Sequence, residues 1–120
     1  MKFISMVKSR EGVPPSPKLM IAIGMLGQEM AQKGVLVEMV GLTPSAQGGR
    51  IRLSGGKVSV TDGPFTESKE LVGGYAIFEV ASKAEAMKLG SQFVQLHADV
   101  MGPDYEMEVE LRELYAPPGR

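Results

Sequence analysis

Apolar residues along the chain switch between a period of two and a period of three to four, and the switches lay out an alternating order of strands and helices. Lys2 to Lys8 predicts a first strand. Leu19, Ala22, Ile23, Leu26 and Met30 then recur at helical spacing, with Ser16 placed as N-cap, Pro17 in the first turn and Gly34 at the close. The other side of this helix carries Ile21 and Met25 before turning polar at Gln28, Glu29 and Gln32. Val35 to Gly41 predicts a second strand, with Val35, Val37 and Met39 on one face and Leu36, Glu38 and Val40 on the other. Arg50 to Leu53 and Lys57 to Val60 flank Ser54-Gly55-Gly56, a link suited to closing a β-hairpin. Thr61-Asp62-Gly63-Pro64-Phe65 then reverses the chain, because Asp bonds nearby backbone, Gly accepts unusual dihedrals and Pro withholds a donor.

Gly73-Gly74 leads into Tyr75 to Val80, a strand rich in aromatic and β-branched residues. Ser82-Lys83-Ala84-Glu85 matches the capping box of a second helix, whose stripe is Ala86, Leu89, Phe93 and Leu96 and whose end is Gly102-Pro103. Tyr105 to Glu113 predicts a last strand, with Met107, Val109 and Leu111 alternating against Glu106, Glu108, Glu110 and Arg112.

Strand, helix, strand, hairpin, strand, helix, strand is the order of an α+β, ferredoxin-like fold with an inserted β-hairpin and both helices on one sheet face. Alternation then leaves Leu36, Val40, Tyr75, Ile77 and Glu79 on the uncovered face, beside Glu106, Glu108, Glu110 and Arg112. Such a face is too apolar to stay wet and too charged for a dry core, which a homodimer resolves by pairing the two copies around a solvated cleft. A monomer with an amphipathic wet face is the alternative. Residues 1–115 are expected to form one domain, and 116–120 a mobile tail.

Composition narrows the function. A chain of 120 residues with 43% hydrophobic and 22% charged residues suits one core. Its formal net charge of -1, without a Lys/Arg cluster, offers no general attraction to nucleic acid or an anionic membrane. With no cysteine and one histidine, His97, thiolate chemistry and multi-histidine metal sites within one chain are excluded. The longest apolar stretch, Leu19 to Leu26, falls far short of the roughly 20 residues of a bilayer span. The N-terminal residues lack a signal-peptide pattern, so a cytoplasmic protein is expected.

Asp62 is the leading candidate for catalysis, since a carboxylate beside Phe65 at a strand end can be partly desolvated and raised toward the working range of a general base. Its plainer role is to accept backbone hydrogen bonds and shape the turn. Lys69 and Glu70 would place a cation and a second acid nearby, or simply be solvated. Phe65, Lys69 and Tyr75 are the expected substrate-binding residues. Tyr75, Glu79 and Glu108 could share a proton or hold a hard cation, although ion pairs with Arg52 or Arg112 explain these acids more simply. His97 is expected at the end of the second helix, where a cationic ring suits the helix dipole. The nine methionines are expected chiefly as gap-fillers, an adaptable ligand pocket being the alternative. Gly55-Gly56 and Gly73-Gly74 lack a phosphate-loop pattern and read as turn and bulge glycines.

The motif Val60-Thr61-Asp62-Gly63-Pro64-Phe65, followed by Glu67, Lys69-Glu70 and Gly73-Gly74-Tyr75, resembles the DGPF branch of the YCII-related protein family. The likeness extends upstream through Lys33-Gly34-Val35-Leu36 and Gly41-Leu42 to Met1-Lys2-Phe3, and downstream through the second helix. It implies a dimeric α+β barrel, and with the residues above it leads to the expectation of a homodimer that binds an unidentified small molecule near the Asp62 turn, without a cofactor or metal. It also implies either lyase- or isomerase-like acid/base chemistry, or a non-catalytic ligand sensor or accessory partner of a transcription (sigma) factor. The wider family often carries a first-helix histidine proposed to pair with an aspartate. Here Ile21 to Glu29 contains no histidine, and Glu29 is the candidate substitute as proton acceptor.

Overall fold

The computed structural model describes residues 1–10, 15–65 and 71–115. The order is β1 (Lys2–Ser9), α1 (Pro17–Gln32), β2 (Leu36–Gly41), β3 (Gly49–Ser54), β4 (Lys57–Asp62), β5 (Leu71–Glu79), α2 (Lys83–Met101) and β6 (Glu108–Glu113), with a 3-10 turn at Ser45–Gln47. Strands β2, β5, β1 and β6 lie in that spatial order in an antiparallel sheet, while β3 and β4 form a separate two-stranded ribbon. This is an α+β architecture of ferredoxin-like topology. No helix among the described residues is long and apolar enough to cross a membrane.

Local chemistry starts both helices where the sequence marks them. Ser16 Oγ accepts from the Leu19 N–H at 3.1 Å, and Pro17 occupies the first turn, where a missing donor costs nothing. Ser82 Oγ accepts from the Glu85 N–H at 3.2 Å, while the Glu85 carboxylate accepts from Ala81 at 3.0 Å. The return bond of the capping box thus reaches one residue further back than the usual N-cap amide. Both helices cover one face of the sheet, and the core gathers there from Phe3, Met30, Ala76, Phe78, Val80 and Ala86. Phe3 stands opposite Phe78 across the β1–β5 ladder, so one cross-strand aromatic pair anchors the centre of the sheet to the helices.

Three boundaries differ from the sequence expectation. In β2 the register slips between Leu36 and Glu38, so a bulge at Val37 breaks the simple alternation. Leu36 therefore stands opposite Phe78 and packs on the core with Met39, while Glu38 and Val40 remain on the open face opposite Ile77 and Tyr75. Strand β6 begins at Glu108 rather than Tyr105, leaving Glu106 and Met107 outside the ladder. The Tyr105 N–H is taken by the Gly102 carbonyl at 3.3 Å, and its ring stacks on His97, so neither is available to extend the strand. Strand β5 begins earlier, at Leu71, because a bulge between Val7 and Lys8 of its partner admits Gly73 as the extra residue.

The open face carries Ile4, Met6, Val40, Tyr75 and Ile77 among charged residues. Lys8 pairs with Glu110 at 2.8 Å and Arg112 reaches the same carboxylate at 3.3 Å, while Glu79 pairs with the N-terminal ammonium at 3.1 Å. In the ribbon, Ile51 opposes Val60 and Leu53 opposes Val58, so all four side chains share one face. They are 78%, 71%, 73% and 69% exposed, an apolar stripe that the described residues leave open. An isolated two-stranded ribbon is marginal in water.

Candidate functional site

A cavity of about 400 Å³ lies between the sheet and the helices, at the end where β1 and β2 finish, α1 begins and α2 ends. Its floor is the helix-facing side of the sheet, including Ser5, Val7 and Ala76; Leu19 and Ile23 of α1 and Phe93 and His97 of α2 cover it. Met20, Met30, Met39 and Met101 also line it, so the methionines supply a deformable wall as well as core filling. No Asp, Glu, Lys or Arg is among the described lining residues. A mostly apolar lining with few polar groups is the usual composition of a small-molecule site.

His97 is 4% exposed and points inward, not to the solvent-facing helix end expected of a ring interacting with the dipole. It completes the stripe of Ala86, Gly90 and Phe93, three to four residues apart, and that spacing was the signal that the helix-end reading passed over. Its Nδ1 lies 2.8 Å from the Phe93 carbonyl oxygen. A carbonyl can only accept, so Nδ1 carries the proton and, in the neutral ring, Nε2 is left as the acceptor. The ring is held by Phe93 at 4.6 Å and by Tyr105 at 6.0 Å between centroids. Among the described residues no fully enclosed side-chain nitrogen or oxygen lacks a partner, yet Nε2 makes no hydrogen bond. Nε2 therefore opens onto accessible space, and the cavity is the space this buried ring borders. By the same reasoning Ser5, 3% exposed and on the cavity floor, offers its hydroxyl to the same space.

Asp62 ends β4, is exposed, and lies outside the cavity lining. Its carboxylate does not shape the turn. The Gly63 N–H donates to the Gly48 carbonyl at 3.0 Å and the Phe65 N–H to Ser45 Oγ at 3.2 Å, so the 3-10 segment supplies the acceptors instead. The Gly63-Pro64 peptide is cis. The Arg50 guanidinium covers the Phe65 ring at 3.9 Å from its centroid, a cation–π contact that ties the turn to β3. Lys69 and Glu70 lie outside the described residues.

Tyr75 borders the cavity beside Gly74. Its phenol lies on the open face, where burial and the Glu38 carboxylate that accepts its hydrogen bond both raise its pKa above the ordinary value. Glu29 is exposed and paired with Lys33 at 3.0 Å, in a shallow depression between the helices bordered by Ala22, Met25 and Leu96. These placements separate Glu29 from the cavity and put Asp62 and Phe65 on the ribbon side. The ribbon nevertheless departs from the sheet at the cavity end, since β2 finishes at Gly41 and both Gly41 and Leu42 line the cavity. Among the described residues no group of three or more His, Cys, Asp or Glu is placed to hold a metal ion.

A search of curated proteins finds no match to the chain. The YCII-related domain matches residues 1–100, from the first strand through nearly the whole of α2, and so covers the sheet floor, the ribbon and the cavity's helical cover. The chain belongs to the YCII-related domain family.

Proposed function

We propose that this chain is a homodimeric small-molecule-binding protein whose ligand occupies the cavity between sheet and helices, close to the Asp62-Gly63-Pro64-Phe65 turn. Its chemistry is acid/base proton transfer of the lyase or isomerase kind, with no cofactor. The single observation that carries binding is a cavity with no charged side chain among its described lining residues, onto which the otherwise buried Ser5 and His97 open polar atoms that make no hydrogen bond among the described residues. A few convergent polar groups in an apolar pocket orient a bound molecule. Asp62, free of any turn-forming bond, is the second acid/base group, presented at the cavity end of the ribbon or toward a partner copy.

The homodimer rests on surface. The chain exposes 8505 Å², whereas a compact monomer of 12.9 kDa exposes roughly 6300 Å². The excess is on the order of 2000 Å² per chain, the scale of an obligate interface. The ribbon's apolar stripe of Ile51, Leu53, Val58 and Val60 and the apolar residues of the open sheet face, Ile4, Met6, Val40 and Ile77, supply that surface. Each ribbon lies on its partner's open face.

Mass spectrometry of small molecules released from the purified dimer tests the reading. A compound displaced by filling the cavity with Ala76→Phe supports it; a protein that carries nothing and binds no apolar hydroxyl compound overturns it. A sensor or sigma-factor accessory is the second reading, favoured by Ile21 and Met25, which are 65% and 67% exposed on the outer side of α1. Turnover of the released compound separates the two.

A further inference from the structure

We infer that the cavity selects an uncharged, mostly apolar molecule that carries a hydroxyl, and that His97 Nε2 accepts the hydrogen bond from that hydroxyl. This rests on the cavity being the ligand site and goes further, by naming the ligand class and the group that reads it.

Exclusion comes first. A phosphate or carboxylate needs a cation or a convergence of donors, and the described lining holds neither Lys nor Arg. A cationic ligand needs a carboxylate, and the lining holds none. Bringing a full charge into such a space costs several kcal/mol. The apolar lining and the cavity of about 400 Å³ therefore suit a neutral, mostly apolar body.

Recognition follows from His97. The Phe93 carbonyl fixes the proton on Nδ1, and the Phe93 and Tyr105 rings pack against the imidazole and resist its turning to exchange its nitrogens. Nε2 is then a preset acceptor that needs a donor. A hydroxyl supplies one; an ether or a ketone does not. Ser5 is free to donate to or accept from the same molecule. Passing the hydroxyl proton to Nε2 leaves an oxyanion beside an imidazolium, without any co-reactant, and histidine suits such transfer near neutral pH.

The test uses 4-nitrophenol, nitrobenzene and 4-nitrobenzoate against the full chain at one pH, with affinities from ligand-observed NMR titration. 4-Nitrophenol is expected to bind about tenfold more tightly than nitrobenzene, the net weight of one hydrogen bond, and 4-nitrobenzoate to bind weakest. His97→Phe is expected to bring the first two together. Because His97 is the only histidine, its ring nitrogen resonances in the unaltered protein provide a reading that does not depend on the variant folding. The Nδ1-protonated form is expected, with Nε2 shifting when 4-nitrophenol is added. Nitrobenzene binding as tightly as 4-nitrophenol, or an unmoved Nε2, overturns the inference while leaving the cavity as a ligand site. Failure of all three probes to bind overturns both.

Discussion

A side chain at Gly63 would fall on the carbonyl oxygen of Ser45, so the reversal after β4 closes against the 3-10 turn only because residue 63 has none. Gly63→Ala is expected to destabilise the protein by roughly 1–3 kcal/mol, the scale of forced overpacking, seen as a lower urea midpoint. Asp62→Asn is expected to stay within about 0.5 kcal/mol of the parent, since the turn's amides bond elsewhere. The reverse ranking would return Asp62 to a purely structural role.

Gly24 sits inside α1 with nothing within 4 Å of where a Cβ would stand. Gly24→Ala is expected to raise stability by about 0.5–1 kcal/mol, because a helix-interior glycine costs backbone entropy and the methyl meets open space. A lower melting temperature for the variant would mean that something outside the protomer covers this position.

Phe78 is 2% exposed and faces Phe3 beneath both helices. Phe78→Ala is expected to cost about 3–5 kcal/mol, a large share of the stability of a domain this size. Equilibrium urea unfolding measures it.

Hydrogen bonds from Lys8, and then Arg112, hold the Glu110 carboxyl below the ordinary carboxylate range. A group whose pKa is lowered on folding stabilises the native state above its unfolded value and loses that contribution as pH falls through the lowered folded value. The stability difference between the parent and Glu110→Gln is therefore expected at neutral pH and to shrink on acidification through that window. A difference that grew toward acid would refute the assignment.

Ile51→Lys together with Val60→Lys removes two facing apolar residues from the ribbon stripe. If each loses about 1.5 kcal/mol of burial per protomer, dimer dissociation is expected to strengthen by at least 100-fold, measured by sedimentation equilibrium. An unchanged association constant would take the ribbon out of the interface.

Much of the fold was legible because its determinants are local. Ser16, Ser82 and Glu85 cap as their types demand, and the two stripes turn both helices toward one sheet face. Leu36 was misplaced because a bulge is not written in alternation: Val37 is as good a strand residue as its neighbours, and only pairing with β5 reveals the slip. The candidate site was less legible. The turn at Asp62 stands out by composition, whereas the cavity arises where the ends of four elements meet, and His97 enters it as one more member of an apolar stripe. Tyr105 was read as a strand residue, and its stacking on that ring depends on a contact no periodicity contains.

Among the described residues the ribbon is two strands wide, and strand edges are rows of backbone donors and acceptors. If two copies meet through their ribbons, a two-fold axis engages both at once and ends the assembly there, whereas a head-to-tail meeting through the same edges has no built-in stop and extends into fibres. On that arrangement, loss of closure registers first as turbidity, before any loss of helix.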